Sequence, residues 1–174
     1  SEVVRIEAGK VNILSTAEDV KGIKCDSIIE ISGGDITIEV NGAGSKALKS
    51  KQNTIFSGGL LTTYLNAENA FIENEDYSYN AAIKSDQNIV IKENAQLVVN
   101  GNGISARALN SDWNTYIHGG EIKIDLSGLY NIEATDTTSV YGIKADSSVI
   151  ISGGNSIITI GNNAKTSKGI KANN

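Results

Sequence analysis

Apolar and polar residues alternate strictly over Ile36-Thr37-Ile38-Glu39-Val40 and again over Ile122-Lys123-Ile124-Asp125-Leu126. A period of two is that of a strand with one buried face. Shorter apolar runs precede these stretches, at 28–31 and 115–117, with a third at 149–151. Between the two kinds of run sits a glycine pair: Gly33-Gly34, Gly58-Gly59, Gly119-Gly120 and Gly153-Gly154, with Glu93-Asn94 in its place in one unit. Glycine suits a corner where the chain turns sharply with positive φ. The pattern predicts a strand, a corner, a second strand, a loop and then a short third strand.

That third strand recurs almost verbatim. Its copies are Gly22-Ile23-Lys24-Cys25, Ala47-Leu48-Lys49-Ser50, Ala82-Ile83-Lys84-Ser85, Ala108-Leu109-Asn110-Ser111, Gly142-Ile143-Lys144-Ala145 and Gly169-Ile170-Lys171-Ala172. Their starts lie 25, 35, 26, 34 and 27 residues apart. A motif repeated at such periods marks a solenoid, whose units bury their apolar faces only by stacking. The runs are too short and too β-branched for helical repeats. The expected fold is all-β: a right-handed parallel β-helix of three short strands per coil and about six to seven coils, forming a single domain over 1–174 or part of a longer array. The handedness follows from the general preference of parallel crossovers.

Composition narrows the function. The net charge of -5 and the lack of any basic run argue against nucleic acid. No apolar stretch reaches spanning length, so membrane insertion is not expected. Abundant Asn, Ser, Thr and Gly without proline fits secreted solenoids, hence an extracellular or cell-surface location. Cys25, the sole cysteine, stands where sister motifs have Ser or Ala and reads as a small buried residue. Neither end shows the polar cap that usually closes a solenoid. That predicts either a longer array or end-to-end stacking on copies of the chain.

Equivalent positions of such a fold stack into columns. Strand alternation turns the Ile and Ala of each motif inward and the Lys outward. Lys24, Lys49, Lys84, Lys144 and Lys171 then form one column, interrupted by Asn110; Asp26, Asp86, Asp112 and Asp146 form another two residues on. Like charges in register repel. The two columns either neutralise each other, or the lysines meet the carboxylates of a polyuronate while the aspartates hold Ca²⁺. A further outward column, Glu30, Ile55, Val90, Tyr116 and Ile150, is largely apolar and calls for a partner. Trp113 and His118 stand near it, and Asn53, Asn88 and Asn114 share one offset. Aromatic faces beside amides suit sugar rings; alternatively the Asn side chains stack within the turn. Long loops at 66–81 and 127–141 gather acids, among them Glu75, Asp76 and Asp136, and clustered carboxylates are what a hard cation such as Ca²⁺ requires.

The string at 142–154, Gly-Ile-Lys-Ala-Asp-Ser-Ser-Val-Ile-Ile-Ser-Gly-Gly, and its echo at 22–34 resemble a bacterial family of secreted carbohydrate-binding proteins. The resemblance implies a β-helix like that of polysaccharide lyases, calcium binding, and binding of cellulose or acidic sugars without cleavage. It carries over to Asp26, Asp86, Asp112 and Asp146 as polar-face or calcium residues. The expected function is a non-catalytic module for acidic polysaccharide, with Lys24, Lys49, Lys84 and Lys144 facing uronates and Trp113 and Tyr116 stacking on rings. The alternative is a subunit of a fibre or adhesin stalk. An enzyme is not expected. Arg107 is the one candidate base for lyase chemistry, and its sequence context supplies no partner set.

Overall fold

The computed structural model describes residues 2–68, 71–73, 76–129, 131–133, 136–161 and 166–173, with side chains throughout except at 71–73, 76, 131–133 and 136–138. It is an all-β molecule; no helix occurs among the described residues. Six third strands, Lys21–Cys25, Lys46–Ser50, Ala81–Ser85, Arg107–Ser111, Tyr141–Ala145 and Lys168–Ala172, pair in chain order as one parallel sheet. Their register is the one the motif predicts, with Ile23, Leu48, Ile83, Leu109, Ile143 and Ile170 in a single column.

The first and second strands build the other large sheet. Val3–Ile6 pairs with Ile28–Ile31, and Lys10–Ser15 with Asp35–Val40, both in parallel. In the next two repeats the first and second strands merge into Thr54–Leu65 and Ile89–Gly101. They separate again as Thr115–Ile117 with Glu121–Leu126, and as Val149–Ile151 with Asn155–Ile160. Each repeat thus contributes one rung of three strands, and every rung pairs with the next.

The corner explains the glycine pair. In Gly34 the backbone takes a φ of +90°, which only glycine adopts without strain. A Cβ on Gly33 would fall well inside 3 Å of the Glu7 carbonyl oxygen on the preceding rung. Where Glu93-Asn94 replaces the pair, the ladder shifts register between Ile91 and Asn94, an irregularity of the bulge kind.

The core lies between the sheets and is mainly stacked Ile, Leu and Val, fully buried at Ile29, Ile38, Leu61, Ile83, Leu97 and Leu109. A hydroxyl set interrupts it. Ser50 and Thr54 lie 2.9 Å apart, Ser50 and Ser85 2.9 Å, and Ser111 and Thr115 2.9 Å. Cys25 is buried in the same column as those serines, as expected. The long loops differ from the expectation of plain loops, because each carries an antiparallel hairpin: Phe71–Glu73 with Asp76–Ser78, and Asn131–Glu133 with Asp136–Thr138. These three-residue strands are too short to show a period in the sequence.

Candidate functional site

The third-strand sheet brings the predicted lysines and aspartates together, with each other. Lys49 pairs with Asp86, and Lys84 with Asp112. Lys84 also lies 3.6 Å from Asp86 and Lys144 2.5 Å from Asp146. Asp26 sits between Lys24 at 3.5 Å and Lys51 at 3.3 Å. A lysine at one motif position and an aspartate two residues on lie on the same strand face, so a side chain reaches either its own rung or the next. The hydrogen bond from Lys51, reinforced by the charges of Lys24 and Lys51, holds the Asp26 carboxyl below its ordinary range. Burial works against the charge of Asp86, but the ammonium groups of Lys49 and Lys84 outweigh it and lower its pKa. Asp146 is lowered in the same way by Lys144 and by the amide of Asn173. The two columns form a self-neutralised ladder, in which Lys84 is buried.

These aspartate oxygens already accept from ammonium groups. Among the described residues, no set of three or more His, Cys, Asp and Glu side chains converges as a metal site would need. Asp26, Asp86, Asp112 and Asp146 are thus spread along the ladder, each engaged by lysine. Glu75 lies outside the described residues, as do the side chains of Asp76 and Asp136. A cleft of about 560 Å³ gathers other acids, Glu18, Glu39 and Glu68, beside Asn41 and Asn66.

The outward column of the first strands is in the predicted register, Glu30, Ile55, Val90, Tyr116 and Ile150, with Arg5 bonded to Glu30 at its head. Trp113 is 53% exposed, and Ile150, one rung beyond Tyr116, is exposed too. The Tyr116 and His118 rings stack with centroids 5.8 Å apart and planes 18° from parallel, and His118 Nδ1 lies 2.9 Å from Ser152 Oγ. Tyr116 and His118 thus stack on one rung, and Trp113 stands in the turn just before their strand, Thr115–Ile117. Lys92 follows Ile91, the partner of Ile117, as His118 follows Ile117; it is exposed and has no ion-pair partner among the described residues. The asparagines turn inward on one another: Asn88 Nδ2 donates to Asn53 Oδ1 at 3.0 Å, and Asn114 Nδ2 to Asn88 Oδ1 at 3.1 Å. They brace the turn rather than line the aromatic pair.

One cluster was not singled out from the sequence. Lys21, Lys46, Ala81, Arg107, Tyr141 and Lys168 form the column just before the repeated tetrapeptide. Lys46 is buried; its Nζ donates to Gly44 O at 2.6 Å, to Ser78 Oγ at 3.0 Å and to Tyr79 O. Burial, helped by the charge of Lys21, lowers its pKa to about 7, against the pull of Asp19. The Arg107 guanidinium lies 3.4 Å from the centre of the Tyr79 ring and donates to Asn110 Oδ1 at 3.0 Å, while Asn110 Nδ2 donates to Tyr79 OH at 2.8 Å. Burial pushes the Tyr79 phenol up and the Arg107 guanidinium down. Arg107 is thus packed against an aromatic ring and tied to Asn110. The signal was legible as a basic residue before the motif in four of six copies.

Comparisons with protein families, with curated proteins and with solved structures found no match.

Proposed function

We propose that the rungs wind as a right-handed parallel β-helix and that the protein is a non-catalytic polysaccharide-binding module of the cell surface or extracellular space. The single observation that carries this reading is the stacked pair Tyr116 and His118, with exposed Trp113 in the turn before it and exposed Ile150 one rung on. Sugar rings offer apolar C–H faces to such side chains and polar rims to their neighbours. Exposed apolar groups of this kind are retained at a cost in solubility unless something covers them. A uronate-type chain is favoured because exposed Lys92 lies one rung from His118, where a sugar carboxylate beside the pair would meet it. Lys49, Lys84 and Lys144 are engaged by aspartates and contribute less.

Affinity electrophoresis in polygalacturonate tests the reading. The wild-type chain is retarded. The W113A/Y116A double substitution, losing about 1 kcal/mol of stacking per ring, weakens binding at least about tenfold. Equal retardation of the two proteins, or none for either, overturns it. Calcium assistance, attached to Glu75, Asp76 and Asp136, predicts weaker retardation when chelator is added.

A further inference from the structure

The side of the ladder that carries the stacked aromatic pair also carries the chain's one imidazole. Its strand, Thr115–Ile117, is paired on both sides, with Ile89–Gly101 and with Val149–Ile151, so its outward face is a lateral surface of the stack. His118 follows this strand and is exposed, its ring laid on Tyr116 and its Nδ1 2.9 Å from Ser152 Oγ. The other ring nitrogen, Nε2, has no hydrogen-bond partner among the described residues.

The bonds around Ser152 decide which nitrogen carries the proton. Ser152 Oγ lies 3.5 Å from the Ile117 carbonyl oxygen, to which only the serine hydroxyl can donate. The serine oxygen is then left to accept, so His118 Nδ1 is the donor. In the neutral ring the lone pair therefore sits on Nε2, an acceptor that repels a carboxylate. In the imidazolium both nitrogens donate, and Nε2–H becomes a charged partner for the same carboxylate.

Other charges frame the ring. Lys92, at the equivalent position one rung before, is exposed, and exposed Glu93 follows it at the corner. On Glu121–Leu126, Glu121 accepts from Asn155 Nδ2 at 3.1 Å, with Lys123 and Asp125 further along the strand. Val149–Ile151 contributes no titratable side chain, and Thr115–Ile117 only the Tyr116 phenol. Carboxyl, phenol and ammonium groups ordinarily keep one charge state between about pH 5.5 and 8, whereas an imidazole changes its own there.

We propose that His118 is a pH-dependent carboxylate ligand: its imidazolium and Lys92 together clamp a uronate carboxylate, and the neutral ring rejects it. The inference rests on the uronate reading above, and adds that acidic glycans are held more tightly in mildly acidic surroundings and released as pH rises. Uncharged sugars, which meet the rings by stacking alone, bind alike across the window.

Calorimetric titration with oligogalacturonate at about pH 5.5 and about pH 8, with chelator present, tests it. The wild-type chain binds at least about fivefold more tightly at the lower pH. The methyl-esterified oligomer, which lacks the charge, shows no such contrast. H118Q binds oligogalacturonate with equal affinity at both pH values. Because coupling is reciprocal, saturating oligogalacturonate also moves the midpoint of the imidazole proton-resonance titration to higher pH. With one histidine in the chain, that resonance is unambiguous. A wild-type affinity independent of pH, a contrast that survives in H118Q or with the methyl ester, or an unmoved midpoint overturns the proposal and leaves the uronate reading standing. Oligogalacturonate that binds at neither pH overturns both.

Discussion

At the scale of single residues, Lys46 is the position where chemistry and fold meet most directly. Its ammonium is buried with three oxygen acceptors around it, and its pKa falls to about 7. An unfolded chain returns the group to its ordinary value near 10.5. Between these values the unfolded state binds more protons, so stability rises with pH across that window and levels off on either side. Each tenfold change in proton affinity is worth about 1.4 kcal/mol. Urea unfolding followed from pH 6.5 to 9.5 is expected to gain a few kcal/mol in the wild-type chain and to flatten in K46M. The burial of Lys46 was hidden in the sequence because its cover is the segment through Ser78 and Tyr79, some thirty residues further along the chain.

Among the elements, the corner between first and second strands is the most exacting. Gly33 is excluded from carrying a side chain by the preceding rung, while Gly9, with nothing within 4 Å of a Cβ, is constrained only by its φ of +89°. G33A is therefore expected to cost more than about 2 kcal/mol, since backbone must move, and G9A about 1 kcal/mol from the left-handed conformation. Thermal unfolding of the two variants side by side separates steric from conformational cost. These corners and the third strands were legible in the sequence, because tight backbone approach admits only glycine and because Ile-x-Ala alternation repeats at each rung. The lysine column was legible as well, but its state was not. Whether Lys84 faces solvent or Asp112 depends on rotamers and on the rung above, and neither is written in one strand. The hairpins at Phe71–Glu73 and Asn131–Glu133 escaped for lack of length, and Trp113 and Tyr116 were found through their residue types rather than their spacing.

For the whole molecule, stability is distributed as in a stack of neighbours, each rung held by the two it touches. Leu109, fully buried between rungs, and Ile170, 47% exposed on the outer rung, occupy the same column. L109A is expected to cost about 3 kcal/mol and I170A less than about 1 kcal/mol at low protein concentration, measured by urea denaturation.

Near-identical rungs carry a hazard, for a sheet displaced by one rung would still find apolar partners. The hydroxyl set breaks that equivalence. Thr115 finds Ser111 and Thr54 finds Ser50 and Ser85, whereas the same column elsewhere holds Ile29, Ile89 and Val149. Shift the third strands one way and Thr115 would face Ala145 and Ala172, its hydroxyl unanswered at a cost of about 1–3 kcal/mol. Shift them the other way and Thr54 would exchange Ser85 for Cys25. The few polar atoms inside the core number the pages of a text whose lines repeat, and a misfiled page is detected by its missing partner.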